Sequence, residues 1–462
     1  MSDTPWLDDA CSLVDAFRAG ERSPVEELEA TVAAIDASEL NAFCHLDLDA
    51  ARRAAAHADP SLPFGGVPIG IKELEPVKGW PATEASLVFK DETYEFDSTQ
   101  VTRLRHAGIV PVGATTASEF GGLNVSVTKL HGVTHNGWQQ GRTAGGSSSG
   151  SAAGVSGGLM SIASGGDGGG SIRIPAGFNG LVGMKGTAGR IPRGPQTLIH
   201  PMTVVVGCVS RSVRDAARWF DVCAGYDGHD PYSLPRIDGW ERDLGSHDLA
   251  GKKVAIVPTL GAAVVRDEVQ QRVVAAGEAL AADAGLAVVD IDLHLPHLDM
   301  AWALANLVGL ALELGDRWPD CKDDLTTEIA FGMSIAEQMF NLEVAGRGEA
   351  ARTASNEAMA SVFEQVDFVI AATNPDVAFP AEVSLNTRVG DLHVDAGNNG
   401  ALTIPANISG NPAISVPVEP FDGLPVGMQI IGRHHEDALL LDLAGVVERE
   451  RPWPLVSPAA PR

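Results

Sequence analysis

The chain has 462 residues, of which 45% are hydrophobic, so it is long enough for one large domain or two moderate ones around a sizeable core. Its net charge of −27 disfavours nucleic acid and anionic membranes as partners, because both need clustered lysine and arginine. Five widely spaced cysteines without a C-x-x-C pair indicate reduced thiols and favour a cytoplasmic location. No signal-peptide pattern is evident, and the longest apolar stretch, 301–312, is shorter than the ~20 residues that span a bilayer.

The amino-terminal part predicts helices over residues 7–60. Ser23, followed by Pro24 and Glu26, has the pattern of a capping box at the start of one helix, and an alanine-rich helix is predicted over 50–58. A short apolar run with glycine and proline then predicts a buried strand that ends in Lys72.

Strands and helices alternate through the rest of the chain. Because such alternation is typical of layered α/β proteins, it predicts an α/β fold with a mixed, largely buried sheet. The predicted elements, in order, are a helix over 97–107, a strand over 109–113, a helix from Ser212, a βαβ unit over 253–291, helices over 298–365 with a break at 346–348, a strand over 368–372, a strand over 413–417, a turn over 423–427, a strand over 428–432 and a helix over 436–448.

Two stretches concentrate glycine and serine, GGSSSG at 145–150 and GGDGGGSIRIP at 165–175. Density of this kind also occurs in flexible linkers. Here small apolar residues typical of a packed helix and strand separate the two stretches, at 152–155 and 158–163. The sequence therefore favours two rigid loops that lie over a core and together form a functional site.

Ser171 follows three glycines, whose backbone N–H groups can converge on an anion. A hydroxyl beside such a group of amides suits a nucleophile whose attack creates an oxyanion. A phosphate-binding P-loop is the alternative for a glycine loop, but no stretch has the G-x-x-x-x-G-K-[ST] pattern. The G-x-S-x-G pattern of an α/β-hydrolase also fails, because Arg173 occupies its last position.

A serine nucleophile needs a base. His131 and His135 are near the first loop, but the ordinary interpretation of each is a surface or hydrogen-bonded loop histidine. A lysine removed from water is the other possibility, since desolvation lowers the pKa of an ammonium group. Lys72, at the end of its apolar run, suits that role, and Ser147 is placed to carry a proton between Lys72 and Ser171.

The two glycine-serine loops, together with GVPIGIK at 66–72, closely resemble the amidase signature family. The resemblance continues through PANISGNPAISVP at 405–417 and GLPVGMQ at 423–429 and covers nearly the whole chain. It implies the amidase signature fold, a large mixed β-sheet sandwiched between layers of α-helices. It also implies a single amidase domain over 1–462, made of a helical segment (1–62), a catalytic core (63–225), a variable region (about 226–400) and a return to the core (401–462).

The same resemblance implies a Ser–cis-Ser–Lys triad with Ser171 as nucleophile, Ser147 as bridging serine after a cis peptide bond, and Lys72 as base. We expect Ser148, Asp167 and Arg173 to support the loops, with Asp167 facing Arg173 or backbone amides. The oxyanion hole would be formed by backbone amides of the loop before the nucleophile, namely those of Gly168, Gly169, Gly170 and Ser171.

The chain departs from the usual family pattern in several places. Glu73 follows the lysine where aspartate is common, Gly166 and Gly168 replace hydroxyl residues, Ser149 replaces glycine, and Asn374 stands where proline is common. None of these changes removes a member of the triad. A looser oxyanion loop, however, could alter the leaving groups that the site accepts.

The resemblance implies hydrolysis of an amide bond through an acyl-enzyme, without cofactor or metal. A pocket lined by residues 120–145 and 300–400 favours a neutral or hydrophobic small-molecule amide, with carbamates or esters as side activities. The expected oligomeric state is a monomer or homodimer. One alternative is the amidase component of a tRNA-dependent amidotransferase complex, which the acidic composition disfavours. Another is an inactive binding relative, which the complete triad disfavours.

Overall fold

The computed structural model of the chain describes residues 4–196, 203–296, 298 and 301–461. The helical region predicted over 298–365 includes residues 299 and 300, which lie outside the described residues. All five cysteines are in the described part, and none forms a disulfide. No helix within these ranges is both long and apolar enough to cross a membrane.

The helices of the described residues lie along the whole chain, and most are amphipathic or buried. They are α1 (Ala10–Ala19), α2 (Pro24–Ala37), α3 (Leu48–Ala56), α4 (Thr99–His106), α5 (Ser149–Ser156), α6 (Arg173–Asn179), α7 (Val213–Cys223), α8 (Asp267–Ala284), α9 (Ala301–Leu314), α10 (Thr327–Met339), α11 (Leu342–Phe363), α12 (Ile404–Ile408) and α13 (Asp437–Glu450).

The strands are short, and those at the centre of the sheet are buried on both faces. They are β1 (Phe43–Leu46), β2 (Pro68–Lys72), β3 (Val110–Thr115), β4 (Val127–Thr128), β5 (Gly132–Val133), β6 (Ile162–Asp167), β7 (Val182–Lys185), β8 (Val205–Ser210), β9 (Lys253–Ile256), β10 (Ala287–Val288), β11 (Phe368–Ala372), β12 (Arg388–Val389), β13 (Leu392–His393), β14 (Ala413–Phe421) and β15 (Leu424–Gly432).

Eleven of the strands in the described residues form one mixed sheet, in the order β1-β3-β2-β6-β8-β7-β14-β15-β11-β9-β10. Strand β2 is parallel to both β3 and β6, and β9 is parallel to β10 and β11. The remaining neighbours in the sheet are antiparallel. Helices pack against this sheet, so the predicted α/β class with a large mixed sheet is confirmed.

Several predicted elements are confirmed closely. The capping box at Ser23 is present, with the Ser23 hydroxyl accepting from the Glu26 amide and the Glu26 carboxylate accepting from the Ser23 amide. The helix expected over 97–107 is α4. The βαβ unit over 253–291 is also present, because β9 and β10 pair in parallel on either side of α8.

Three local predictions are wrong. Residues 43–46 form strand β1 within a region predicted to be helical, because they pair with β3 at the sheet edge. No break interrupts α11 at 346–348. Gly346 has open space around it, since a Cβ there would meet nothing within 4 Å. A glycine at such a position costs the helix only the ~1 kcal/mol of its low helix propensity. The turn predicted over 423–427 is instead a tight turn at Asp422 and Gly423, both with positive φ, and β15 begins at once.

The sheet order brings two chain segments to one place. Because β2 and β6 are parallel neighbours, their carboxyl ends meet at the same edge. Lys72 is the last residue of β2, and Asp167 is the last residue of β6. The glycine loop at 168–171 follows directly from β6, so the topology itself sets the predicted site residues beside one another.

Candidate active site

Lys72 has a buried side chain at the end of β2. Its Nζ donates to Ser147 Oγ at 2.7 Å and to the carbonyl oxygen of Gly166 at 3.3 Å. Its backbone N–H donates to Ser164 Oγ at 2.8 Å, which ties the end of β2 to β6. Only 4% of Lys72 is exposed. Strand pairing and burial therefore fix the amine where Ser147 meets it.

Burial lowers the pKa of Lys72 to about 7, because the ammonium form loses its hydration. The negative charges of Asp167, Glu75 and Glu84 act in the opposite direction, but desolvation outweighs them. A substantial fraction of the Lys72 amine is therefore neutral near neutral pH, as a general base requires.

Ser147 lies on the tight loop that precedes α5. The Gly146–Ser147 peptide bond is cis, as the family resemblance predicts. The loop has no room for side chains at its glycines: a Cβ at Gly145 would be 2.9 Å from the Phe178 ring, and one at Gly146 would be 2.6 Å from the Val125 nitrogen. Glycine is therefore required at both positions for the loop to approach its neighbours.

Ser149 and Ser148 help to hold this loop. The Ser149 hydroxyl donates to the Gly145 carbonyl and accepts from Ser126 Oγ at 2.6 Å, so its replacement of the usual glycine is accommodated by hydrogen bonds. Ser148 Oγ lies 3.3 Å from both the amide nitrogen and the carbonyl oxygen of Gly166, and hydrogen-bonds with each. The amide of Ser148 donates to the carbonyl of Ser171 at 3.3 Å. Ser148 thus connects the two glycine-serine loops, as a supporting residue would.

Ser171 begins the turn between the glycine loop and α6 and is 8% exposed, the most accessible of the three predicted triad residues. Within the described residues, its hydroxyl makes no hydrogen bond with Ser147, while the Lys72–Ser147 contact is fully formed. The Lys72 amine therefore contacts the predicted bridging serine, and the Ser171 carbonyl is tied to the neighbouring Ser148 amide, while the Ser171 hydroxyl makes no hydrogen bond among the described residues.

Asp167 and Arg173 form a fully buried ion pair below the loop. The guanidinium donates to both carboxylate oxygens, at 3.0 and 3.1 Å, and the backbone amides of Ile172 and Arg173 also donate to Asp167. Burial alone would raise the pKa of Asp167, but the Arg173 charge and hydrogen bonds from Arg173 and Asn407 hold that pKa below its ordinary value. Asp167 therefore faces both Arg173 and backbone amides.

The Gly170 amide requires a correction to the predicted oxyanion hole. It donates to Asp167 Oδ1 at 2.7 Å, so this hydrogen is already used within the loop. Gly170 also has a φ of +121°, a conformation that favours glycine. The carbonyl of Gly169, in the same peptide unit as the Gly170 amide, accepts from Thr403 Oγ1 at 2.6 Å, so both polar groups of this peptide are held. The amides of Gly168, Gly169 and Ser171 stay predicted as oxyanion donors.

Residues from the end of the chain complete the network, although no single motif predicts their roles. Asn407 donates to the Asp167 carboxylate at 2.8 Å and to its backbone oxygen at 2.9 Å, and the side-chain oxygen of Gln429 accepts from Arg173 at 3.1 Å. Both residues are in the blocks at 405–417 and 423–429 that carry the family resemblance. A polar side chain among largely apolar neighbours, in α12 for Asn407 and in β15 for Gln429, is the signal that could have identified them.

Gly121 and Trp302 border the predicted triad and the glycine loop. A Cβ at Gly121 would be 3.4 Å from Ser147 Oγ, so this glycine lies directly against the bridging serine. A Cβ at Gly169 would be 2.7 Å from the Trp302 ring and 3.3 Å from the Ile404 side chain. An aromatic residue of α9, within the region 300–400 that was predicted to line the pocket, therefore covers the glycine loop.

Comparison with known proteins places this architecture among amidases. The Amidase family model matches residues 26–441. The acylamidase of Rhodococcus erythropolis is 32% identical over 478 residues, which is 98% of this chain and 97% of that protein. A glutamyl-tRNA(Gln) amidotransferase subunit from Lacticaseibacillus paracasei is 31% identical over 476 residues, 96% of each protein.

Solved structures agree with these relatives. A bacterial aryl acylamidase of the amidase signature family has a TM-score of 0.89 at 27% identity, over 97% of both chains. A 6-aminohexanoate cyclic dimer hydrolase has a TM-score of 0.87 at 27% identity, over 98% of both chains.

The fold and these relatives define an amidohydrolase, an enzyme that hydrolyses carbon–nitrogen amide bonds. The chain belongs to the amidase signature family. The predicted resemblance and fold class are therefore confirmed. The roles of Lys72, Ser147 and Ser171 are taken up below as part of a proposal.

Proposed function

We propose that the protein hydrolyses a neutral or hydrophobic small-molecule amide through an acyl-enzyme on Ser171. The observation that carries the proposal is the 2.7 Å contact between the buried Lys72 amine and the Ser147 hydroxyl, beside the glycine loop that precedes Ser171. A lysine in this environment supplies the base that a serine nucleophile needs, and Ser147 supplies a relay.

In the proposed reaction, neutral Lys72 accepts a proton from Ser147 while Ser147 takes the proton of Ser171. The Ser171 oxygen attacks the amide carbonyl, and the oxyanion receives hydrogen bonds from the amides predicted as its donors. Ser147 then protonates the leaving nitrogen as the carbon–nitrogen bond breaks, and Lys72 returns its extra proton to Ser147. Water hydrolyses the acyl-enzyme by the same relay in reverse and restores Ser171.

The walls of the site support the substrate class. Trp302 and Ile404 cover the glycine loop. These surfaces suit an apolar or aromatic substituent near the scissile bond. The likeness to an acylamidase and to an aryl acylamidase supports the same choice. Carbamates and esters are proposed as side activities, since they present the same carbonyl to Ser171.

A second candidate is the amidase component of a tRNA-dependent amidotransferase, which the 31% identity to a glutamyl-tRNA(Gln) amidotransferase subunit favours. In that case the chain would act on glutamine and need partner proteins. The net charge of −27 disfavours contact between this chain and tRNA and so supports the first candidate.

The test is an assay of the purified chain alone. Its substrates are aryl amides with short and long acyl groups, matched aryl esters, aryl carbamates and glutamine. We expect hydrolysis of hydrophobic aryl amides without a partner, and a loss of at least ~10³-fold in kcat for Ser171→Ala. Ser246→Ala serves as the control and should retain full turnover, because Ser246 is exposed and well separated in the sequence from Ser147 and Ser171. Full activity of Ser171→Ala would overturn the proposed chemistry, and activity on glutamine alone would favour the second candidate.

A further inference from the structure

Cys44, Glu73 and His131 converge on one point close to, but outside, the reacting groups. Each comes from a different part of the chain: Cys44 from β1, Glu73 from the segment after β2, and His131 from the turn between β4 and β5. A ligand atom from each, the thiol sulfur, a carboxylate oxygen and an imidazole nitrogen, lies within 4.8 Å of the other two. Atoms around one tetrahedral zinc ion are roughly 3–4 Å apart, given metal–ligand distances of about 2.0–2.3 Å.

The Glu73 carboxylate provides a second, independent sign of a ligand. Glu73 is 3% exposed. Its Oε1 hydrogen-bonds with His131 Nε2 at 2.6 Å and accepts from the Thr83 hydroxyl, whereas its Oε2 is buried and has no hydrogen-bond partner among the described residues. A buried carboxylate oxygen without a partner is unfavourable, and a bound cation would satisfy it.

The backbone around the cluster is held in place. The His131 amide donates to Thr128 Oγ1 at 2.9 Å, and the His131 carbonyl accepts from the Asn41 side chain at 2.7 Å. Asn41 precedes β1, which carries Cys44, so the histidine turn is tied to the strand that supplies the thiol. The His131 side chain is 16% exposed, which leaves a route for an ion and for a water ligand.

We propose that Cys44, Glu73 and His131 bind a Zn²⁺ ion, with a water molecule as the fourth ligand. A thiolate, an imidazole and a carboxylate together form a ligand set that zinc prefers, whereas Mg²⁺ and Ca²⁺ prefer oxygen ligands alone. On binding, Cys44 releases its proton to solvent, His131 binds through an unprotonated Nε2 with its one ring proton on Nδ1, and the Glu73–His131 hydrogen bond is replaced by two bonds to the metal. The site differs from our sequence-based expectation that the protein binds no metal.

The experiment uses the full-length chain, first treated with a chelator and then titrated with Zn²⁺ or Co²⁺. We expect one ion per chain, a thiolate-to-cobalt charge-transfer band in the near ultraviolet with Co²⁺, and a Tm that rises with Zn²⁺ concentration. Cys44→Ser should abolish the charge-transfer band, and Cys44→Ser and His131→Ala should each weaken Zn²⁺ binding by at least ~10-fold, since even outer-shell partners contribute that much.

Cys321→Ser is the control, because Cys321 is also a free cysteine and belongs to no such cluster among the described residues. It should bind both metals as the wild type does. Circular dichroism of each metal-free variant checks that it is folded, and Cys44→Ser and His131→Ala test the site separately should one of them not fold. Absence of stoichiometric binding by the wild type, or an unchanged charge-transfer band in Cys44→Ser, would overturn the proposal. Because the readout is metal binding, it is independent of the proposed amide hydrolysis.

Discussion

Ser147 is a small residue with a precise task in the proposed reaction. It is 2% exposed, its hydroxyl contacts the Lys72 amine, and its loop is held by glycines that tolerate no side chain. In the proposed mechanism it passes the proton inward during attack and outward to the leaving group. Its contribution should therefore depend on how much the leaving group needs a proton.

Replacement of Ser147 by alanine is expected to lower kcat for an aryl amide by ~10²–10⁴-fold, the usual range for general acid–base catalysis. The loss should be smaller for the matched nitrophenyl ester, because a phenolate leaves without protonation. Steady-state kinetics on both substrates measure the two losses, with Ser246→Ala as control. Equal losses on both substrates, or a change in KM alone, would contradict the role of Ser147 as a proton donor.

Gly169 and Trp302 lie against each other, and substitutions at the two positions should affect different kinetic constants. A methyl group at position 169 would approach the Trp302 ring to 2.7 Å, so one of the two must move. The clash would displace the peptide that offers a proposed oxyanion amide, and a displacement of this kind affects the transition state more than the bound substrate.

Gly169→Ala is therefore expected to lower kcat by about 10-fold or more with a smaller change in KM. Trp302→Ala should change KM for bulky aryl amides. In the double variant the missing ring makes room for the methyl group, so part of the lost kcat should return. A double-mutant cycle measures this coupling. Additive effects of the two substitutions would show that Trp302 does not constrain the loop.

At the scale of elements, α13 and α7 meet through a partly buried carboxylate. Glu448 of α13 accepts a hydrogen bond from the amide of Val213, the first residue of α7, at 3.1 Å. Burial raises the pKa of Glu448 to about 7, and the nearby Asp9 charge adds to this shift. A carboxyl group whose folded-state pKa is raised stabilises the fold below its unfolded pKa of 4.5, and this contribution is lost as the pH rises through 7.

Glu448→Gln keeps the carbonyl acceptor but cannot ionise. We expect the wild type and the variant to have similar free energies of unfolding near pH 4.5, and the variant to become more stable, by on the order of 1 kcal/mol, at pH 8. Urea denaturation across this pH range measures the difference. A gap that is the same at both pH values would show that Glu448 does not titrate between them.

The elements themselves were predicted to different degrees. Helices with clear start signals, such as α2 with its capping box, and buried runs such as β2 were predicted well because their causes are local. Strand β1 was missed because its conformation depends on pairing with β3, about seventy residues away. Helix α11 continues through two glycines because packing against α9 outweighs their weak propensity.

At the scale of the whole molecule, the excess of acidic residues has a measurable effect. A net charge of −27 means that like charges repel across the folded surface, and dissolved salt screens this repulsion beyond a Debye length of about 10 Å at 0.1 M.

We therefore expect the Tm at pH 7.5 to rise by a few degrees as NaCl increases from about 10 to about 300 mM. Differential scanning calorimetry measures the change. The same series near the isoelectric pH of about 4.7 is the control, since little net charge is left to screen there. A Tm that does not respond to salt at pH 7.5 would show that surface repulsion has little influence on stability.

The candidate site could be predicted only where short motifs carry it. Lys72, Ser147 and Ser171 lie in blocks with recognisable spacing, and the parallel pairing of β2 and β6 explains why Lys72 lies beside the loop that leads to Ser171. The cover that Trp302 provides, and the convergence of Cys44 on its two partners, depend on how distant segments pack. No local pattern encodes such distances, so these features emerge only from the folded chain.

The glycine loop is anchored on one side by the Asp167–Arg173 pair and bordered on another by Trp302, and these supports belong to separate stretches of the chain. Variation can therefore act on α9 while the anchored chemistry stays as it is. A library of variants confined to α9 should therefore change which amides the enzyme accepts, and natural sequence variation in α9 can have the same effect.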